Sequence, residues 1–171
     1  LTACQHGNGK DWWILVNEWR TNIYKRYILN EYGVFLDGRQ RVDSMNVKDM
    51  SWGSTLRYTP NGKKLIRVDE GNPTIINISD FDRCTGIISN TKKIMLPNEL
   101  KFKSSFSSIS PNSRYIYIIF YESIIQLDLE EKDILSSIDT VAKYDGFASP
   151  YNGCETRFLQ SWLGPDGRNI Y

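Results

Sequence analysis

A short turn phrase recurs along this chain of 171 residues: Thr59, Pro60, Asn61, Gly62, then Ser110, Pro111, Asn112, Ser113, then Gly164, Pro165, Asp166, Gly167. The copies stand 51 and 54 residues apart. Each has hairpin-turn chemistry, with Pro holding φ near −65° and Asn or Asp next to a residue that accepts the left-handed conformation. A fixed period of this size is the mark of a repeat architecture and constrains the fold more than any composition figure.

The text after each turn is also similar. Lys63, Lys64, Leu65, Ile66 and Arg114, Tyr115, Ile116, Tyr117 lead from polar residues into an apolar strand, and Arg168, Asn169, Ile170, Tyr171 begin the same phrase. Projecting the phase backwards makes Leu1 to Cys4 the equivalent of the strand at Leu65, so the first unit is the longest and requires an extra loop. Between the turns, short apolar segments bounded by Gly, Pro, Asn and Asp read as strands: 12–19, 23–29, 65–68, 74–78, 87–94, 116–121 and 124–129.

Four strands of five or six residues with their loops need roughly 40 to 50 residues, the size of one propeller blade. The expectation is therefore an all-β chain of about three β-propeller blades, each a four-stranded antiparallel sheet. Repeat units run over approximately 1–58, 59–109 and 110–163, with the next beginning at 164. A sandwich does not require identical turns at a constant interval, and a helical solenoid requires a 3.6-residue periodicity that is absent. Three blades do not close a ring of four to eight, so the reading is a fragment of a larger ring, partnered by the remaining blades of the same parent chain.

Composition supports a packed core, with 40% hydrophobic residues. Twenty-one Lys and Arg balance 20 Asp and Glu without a block of one sign, which argues against a nucleic-acid or membrane-surface partner. No apolar run approaches the roughly 20 residues of a bilayer span. The chain opens on Leu1 and Thr2 without a secretory leader pattern, so any export signal is expected upstream. Cys4, Cys84 and Cys154 are too far apart for a zinc motif, leaving either one disulfide plus a free thiol or three buried or loop thiols.

The stretch Gln5, His6, Gly7, Asn8, Gly9, Lys10, Asp11, Trp12, Trp13 resembles the H-x-N-G-x-D-W-W segment of WD40-like or YVTN-like propeller regions in secreted and cell-surface proteins of Bacteroidetes. Trp19 to Asn22 with Tyr27, Ile28 and Leu29 is similar to the next strand pair of that family. Asp80 to Gly86 resembles its D-F-D-R-C-T-G turn, and Leu159 to Tyr171 its L-Q-x-x-P-D-G-x-I-Y blade opening, with Ser161, Trp162 and Leu163 inserted. Such regions precede C-terminal sorting or gliding-motility-associated modules, so the resemblance implies a secreted or cell-surface protein.

Candidate sites are few. The binding cluster singled out is His6, Asn8, Lys10, Asp11 and Trp12, around the chain's one histidine. A single imidazole supplies neither a metal triad nor a catalytic relay without partners, so His6 reads first as a loop residue. Gly7, Asn8 and Gly9 are followed by no helix and so form no phosphate loop. Trp12 and Trp13 must point to opposite faces of a strand, one into a core. An exposed partner with Trp19, Tyr24 or Tyr32 offers a stacking surface for a sugar or peptide.

Asp80 and Asp82 read as turn carboxylates, one of them neutralised by Arg83, with Gly86 reversing the chain. Asn77, Ile78, Ser79 matches a glycosylation acceptor within a strand. No catalytic residue, metal site or cofactor is assigned. The functional expectation is a non-enzymatic scaffold of an exported bacterial protein that binds a protein or glycan through its loops and central channel. The alternative is a hydrolase of lactonase or sugar-hydrolase type with a divalent metal in the channel, for which Asp69, Glu70 and Glu122 stand after comparable strands.

Overall fold

The computed structural model describes residues 1–19, 21–42, 54–71, 73–97, 106–155, 157–164 and 166–170. Arg20, Pro165 and Tyr171 of the sequence motifs lie outside these residues. Among the described residues, twelve strands are arranged in three four-stranded antiparallel sheets, each a meander in chain order. The first contains β1 (Thr2–Gln5), β2 (Trp12–Asn17), β3 (Ile23–Asn30) and β4 (Gly33–Arg41). The second contains β5 (Ser54–Tyr58), β6 (Lys64–Asp69), β7 (Ile75–Phe81) and β8 (Ile88–Met95). The third contains β9 (Phe106–Ile109), β10 (Tyr115–Ile119), β11 (Ser123–Asp128) and β12 (Asp139–Lys143).

These are propeller blades stacked face to face, with β1 beside β5 and β5 beside β9. Hydroxyls stitch the inner strands together: Thr55 Oγ1 and Ser107 Oγ are 2.7 Å apart, and Ser161 Oγ donates to Ser108 Oγ at 2.7 Å. A further hairpin begins after the third blade, where Leu163 bridges Ile170.

Two sequence expectations change here. Leu1 to Cys4 is not the counterpart of the strand at Leu65, because Thr2–Gln5 is an inner strand paired with β2 from Gln5 opposite Trp12 to Thr2 opposite Leu15. Its counterpart is β5, paired with β6 from Tyr58 opposite Leu65. The segment His6 to Asp11 is consequently another copy of the repeating turn, and the first unit needs no extra loop. His6, Thr59, Ser110 and Gly164 open the four turns at intervals of 53, 51 and 54 residues.

The backbone bonds of the four copies agree. His6, Thr59, Ser110 and Gly164 each donate N–H to the carbonyl five residues on and accept from the N–H three residues on. That third position has φ of 74° at Gly9, 68° at Gly62, 64° at Ser113 and 62° at Gly167. The left-handed geometry explains why glycine fills three of the four places. At the preceding position Asn8, Asn61, Asn112 and Asp166 each accept the N–H two residues ahead through Oδ1. The turns are Asx turns whose side chains satisfy their own backbone.

The sheets start one strand before each turn, so the sequence units cut at the turns run one strand out of phase with the blades. Strands β4, β5, β9 and β12 had no counterpart among the predicted segments. In β4 and β12 most residues are solvent-facing, which erases the apolar signal. Strands β5 and β9 mix Ser, Thr and Arg with few apolar residues.

The core lies between the blades. Ile66, Val68, Ile76 and Ile78 of the second blade pack on Ile116, Ile118, Phe120, Ile125 and Leu127 of the third. Cys4, Trp13, Leu15 and Tyr24 of the first meet Tyr58, Leu65, Phe81 and Ile88 of the second. Gln40 ties the outer strands of blades one and two by treating Ile88 as a peptide partner, donating to its carbonyl and accepting from its N–H.

Candidate functional site

The residues singled out around His6 form the first of the repeating turns. His6 Nδ1 accepts from Asn8 N–H at 3.0 Å, and its ring stacks on Trp13 with centroids 5.2 Å apart. Asn8 Oδ1 accepts from the backbone N–H groups of Lys10 and Asp11, while Asn8 Nδ2 donates to Asp11 Oδ2. His6 Nδ1, the Asn8 amide and one Asp11 oxygen thus close the turn on itself.

Trp12 and Trp13 point to opposite sides, as adjacent strand residues must. Trp13 is buried, donates Nε1–H to the Arg83 carbonyl at 2.8 Å and stands edge-on to Phe81. Trp12 is 44% exposed, whereas its counterparts Leu65 and Ile116 are 2% and 0% exposed between blades. With the exposed Leu29, Val34 and Leu36 it forms an apolar face on the far side of the first blade. Trp19 and Tyr32 are exposed as well. Tyr24 is fully buried beside Arg67 and does not belong to that surface.

The segment from Asp82 to Gly86 docks on this first turn. Asp82 Oδ1 accepts Cys84 N–H and Oδ2 accepts from Thr85 Oγ1, which together with the nearby His6 hold its carboxyl below the usual range. Gly86 closes the loop at φ 70° directly under the Trp13 ring. Arg83 does not neutralise either carboxylate; it reaches the Asn61 carbonyl. Asp80 pairs instead with Lys64 at 3.0 Å and accepts from Asn90, and these contacts depress its pKa. The expected turn is present, with a different counter-ion.

The three carboxylates of the metal alternative are not gathered at one point. Asp69 is buried, 2.7 Å from Arg67 and 3.2 Å from Asn77, and burial pushes its carboxyl upward against the pull of Arg67. Glu122 pairs with Arg157, which also holds Glu155 and lies over the Tyr144 ring. Among the described residues no three His, Cys, Asp or Glu side chains form a metal-binding group. The residues Asp69 and Glu122 therefore do not fit a resident divalent ion, since each already has a guanidinium partner. Asn77 of the glycosylation triplet is 3% exposed and donates to Asp69, so the folded chain does not present it as an acceptor.

All three cysteines are free thiols, with Cys4 buried and Cys84 and Cys154 exposed. Burial pushes the Cys4 thiol up to about 11.

A cluster that the sequence did not suggest stands where the inner strands converge. Arg57, Ser108 and Trp162 each lie two residues before a turn, the place that Cys4 holds in the first blade. The Arg57 guanidinium stacks 4.5 Å over the Trp162 ring and donates Nε–H to the Ser107 carbonyl at 3.3 Å. These groups border a cavity of about 160 Å³ with Tyr58, Pro60 and Ile109. The recurrent offset from the turn was the sequence signal available for finding them.

A larger cavity of about 350 Å³ lies on the far face of the third blade, between Tyr117, Ile119 and Ile124 and the following hairpin at Arg168 to Ile170. Those three residues hold the places of Ile66, Val68 and Ile76, which the second blade buries against the third. Its lining is that of an inter-blade space.

Meandering four-stranded sheets, stacked inner strand to inner strand and opened by a repeated turn, define a β-propeller. Comparison with solved structures gives the same class. The chain superposes on a candidate 6-phosphogluconolactonase of Bacteroides uniformis ATCC 8492 with a TM-score of 0.60 and 15% identity, covering 99% of this chain and 45% of that one. A second candidate 6-phosphogluconolactonase, from Bacteroides fragilis NCTC 9343, gives 0.55 at 15% identity over 82% of this chain and 37% of that one. A luciferin-regenerating enzyme gives 0.54 at 14% identity over 95% and 48%. The chain spans less than half of each of these structures, and at such identities the likeness shows the fold. No protein-family model and no curated protein sequence matches the chain. The propeller part of the resemblance to Bacteroidetes repeat regions thus stands. Among the described residues no helix is long and apolar enough to cross a membrane.

Proposed function

We propose that the chain is the three-blade portion of a larger propeller in an exported bacterial protein, secreted or on the cell surface, and that it serves as a non-enzymatic scaffold for a protein or glycan ligand. The observation that carries this reading is the use made of the polar side chains. His6, Asn8 and Asp11 close a turn, Asp80 and Asp82 hold a loop, and Asp69 and Glu122 are bound to arginines. What remains for recognition is shape, loop surface and exposed rings such as Trp12 and Trp162. The apolar face of the first blade, with Trp12, Leu29, Val34 and Leu36, supports further blades of the parent ring, which would bury it as Leu65 is buried.

The propeller enzymes named among the structural neighbours make lactone hydrolysis the second reading. A glycan panel and a lactone-hydrolysis assay run on the same preparation, with and without added divalent cations, separate the two. The scaffold reading expects saturable retention of a ligand without turnover. Turnover that is lost on Asp69→Asn or Glu122→Gln with the fold intact would replace it by the hydrolase reading. Cell fractionation tests the location, and a purely cytoplasmic product overturns export.

A further inference from the structure

Most of the buried or half-buried arginines are paired with a carboxylate, whereas Arg57 and Arg83 are not, and of these two Arg57 borders a cavity. Arg26 pairs with Asp37, Arg67 with Asp69, Arg114 with Asp128 and Arg157 with Glu155. Arg57 has no carboxylate partner among the described residues; its contacts are one carbonyl through Nε and the Trp162 ring. Its two terminal nitrogens carry four N–H donors, and none of them has a hydrogen-bond partner among the described residues. A half-buried guanidinium has lost part of its hydration, and that loss is best offset by a charge-assisted contact.

We infer that the cavity at Arg57, Ser108 and Trp162 is a binding site for a carboxylate-bearing ligand, held by the guanidinium fork of Arg57. Stacking on Trp162 fixes the plane of the guanidinium, and a planar fork matches the two oxygens of a carboxylate. Ser108 lines the cavity too, while Tyr58, Pro60 and Ile109 give it apolar walls. A volume of about 160 Å³ has room for the acid group and the atoms next to it. A single cation neutralises a monoanion completely and a phosphate dianion only by half. The ligand is thus an acidic member of the class proposed above, a uronate of a glycan or an acidic peptide group.

The site rests on the scaffold reading, and the two fail separately. The 171-residue chain is titrated with glucuronate, acetate and inorganic phosphate at constant ionic strength, following the indole N–H of Trp162 and Nε–H of Arg57 by nuclear magnetic resonance. Trp162→Phe assigns the indole signal. Saturable shifts with glucuronate and acetate, absent with sodium chloride and weakened about tenfold or more in Arg57→Gln, are expected. Arg57→Lys should recover only part of the affinity, because the ammonium keeps the charge and lacks the fork.

No shift, or shifts unchanged in Arg57→Gln, overturns the site and leaves the scaffold reading to the glycan panel. A stronger response to phosphate overturns the carboxylate assignment. Consumption of glucuronate lactone by the loaded protein overturns the scaffold reading and leaves the site intact.

Discussion

The same strand positions build two unlike interfaces. On the second blade Arg67, Asp69 and Asn77 face the first blade; at the corresponding places of the third blade Ile118, Phe120 and Ile125 face the second. Between blades two and three the contact at these positions is apolar and non-directional, a stack of Ile, Val, Leu and Phe. Between blades one and two, Arg67 binds Asp69 at 2.7 Å and Asn17 of the first blade at 2.8 Å, while Asn77 donates to Asp69. A hydrophobic interface tolerates small shifts, whereas buried charges are stable only when each partner is in place. At these positions the second interface supplies adhesion, and the first, beside its own apolar cluster, supplies register.

The largest effect expected is from Arg67→Ala, which strands the Asp69 carboxylate in the interior and should cost about 3–5 kcal/mol in urea unfolding. The double change Arg67→Met with Asp69→Leu removes both charges and should be far closer to the parent. A single variant no worse than the double would break the comparison, since the pair would then be dispensable.

At the matching position, Ile118→Ala should cost about 2–5 kcal/mol and Ile118→Val about 0.5–1.5 kcal/mol. That graded response distinguishes lost packing from an all-or-none network.

Glycine substitutions sharpen the contrast between turn and interface. Gly9 and Gly86 have nearly the same φ, 74° and 70°, but a Cβ at Gly9 meets nothing within 4 Å and one at Gly86 lies 2.7 Å from the Trp13 ring. Gly9→Ala should cost only the left-handed backbone, about 1–2 kcal/mol. Gly86→Ala adds an overpacking cost of about 1–3 kcal/mol, because Trp13 is locked between blades. Equal melting shifts for the two would mean that the ring yields freely.

The smallest effect is a pH dependence at Cys4, inside the first interface. Burial favours its neutral thiol, with a folded value of about 11 against 9.0 for the free group. The Cys4 contribution is therefore full below about pH 9 and is lost as the pH rises through 11. Cys4→Ala should flatten the stability profile in that window. In a thiol-labelling time course at neutral pH, Cys84 and Cys154 should react in the folded chain and Cys4 only after unfolding.

The turns were legible because their chemistry is local: Asn or Asp satisfies the backbone two residues on, whatever lies around it. The first copy escaped because His6 and Gly7 replace the hydroxyl residue and Pro of the next two turns, although Asn8 and Gly9 keep the bonding pattern. That omission shifted the phase by one strand. Outer strands such as Gly33–Arg41 were illegible because an edge facing water has little apolar alternation to read.

The cluster at His6 is unusual in composition, and within it His6, Asn8 and Asp11 bond inside their own turn. The Arg57 and Trp162 contact joins residues from different repeats, and only the shared offset from the turn hinted at it. The pairing of Asp80 with Lys64 in place of Arg83 likewise depends on strand register, which brings residues 64 and 80 opposite each other.

By itself the sequence determined what acts over a few residues: the period, the turn geometry and the apolar strands that lie between blades. Tertiary structure alone decided which strand begins each blade, which acid meets which arginine, and where an arginine is left facing a cavity. Turn chemistry is completed within six residues, whereas charge pairing and burial are set by chains of contact between blades some fifty residues apart.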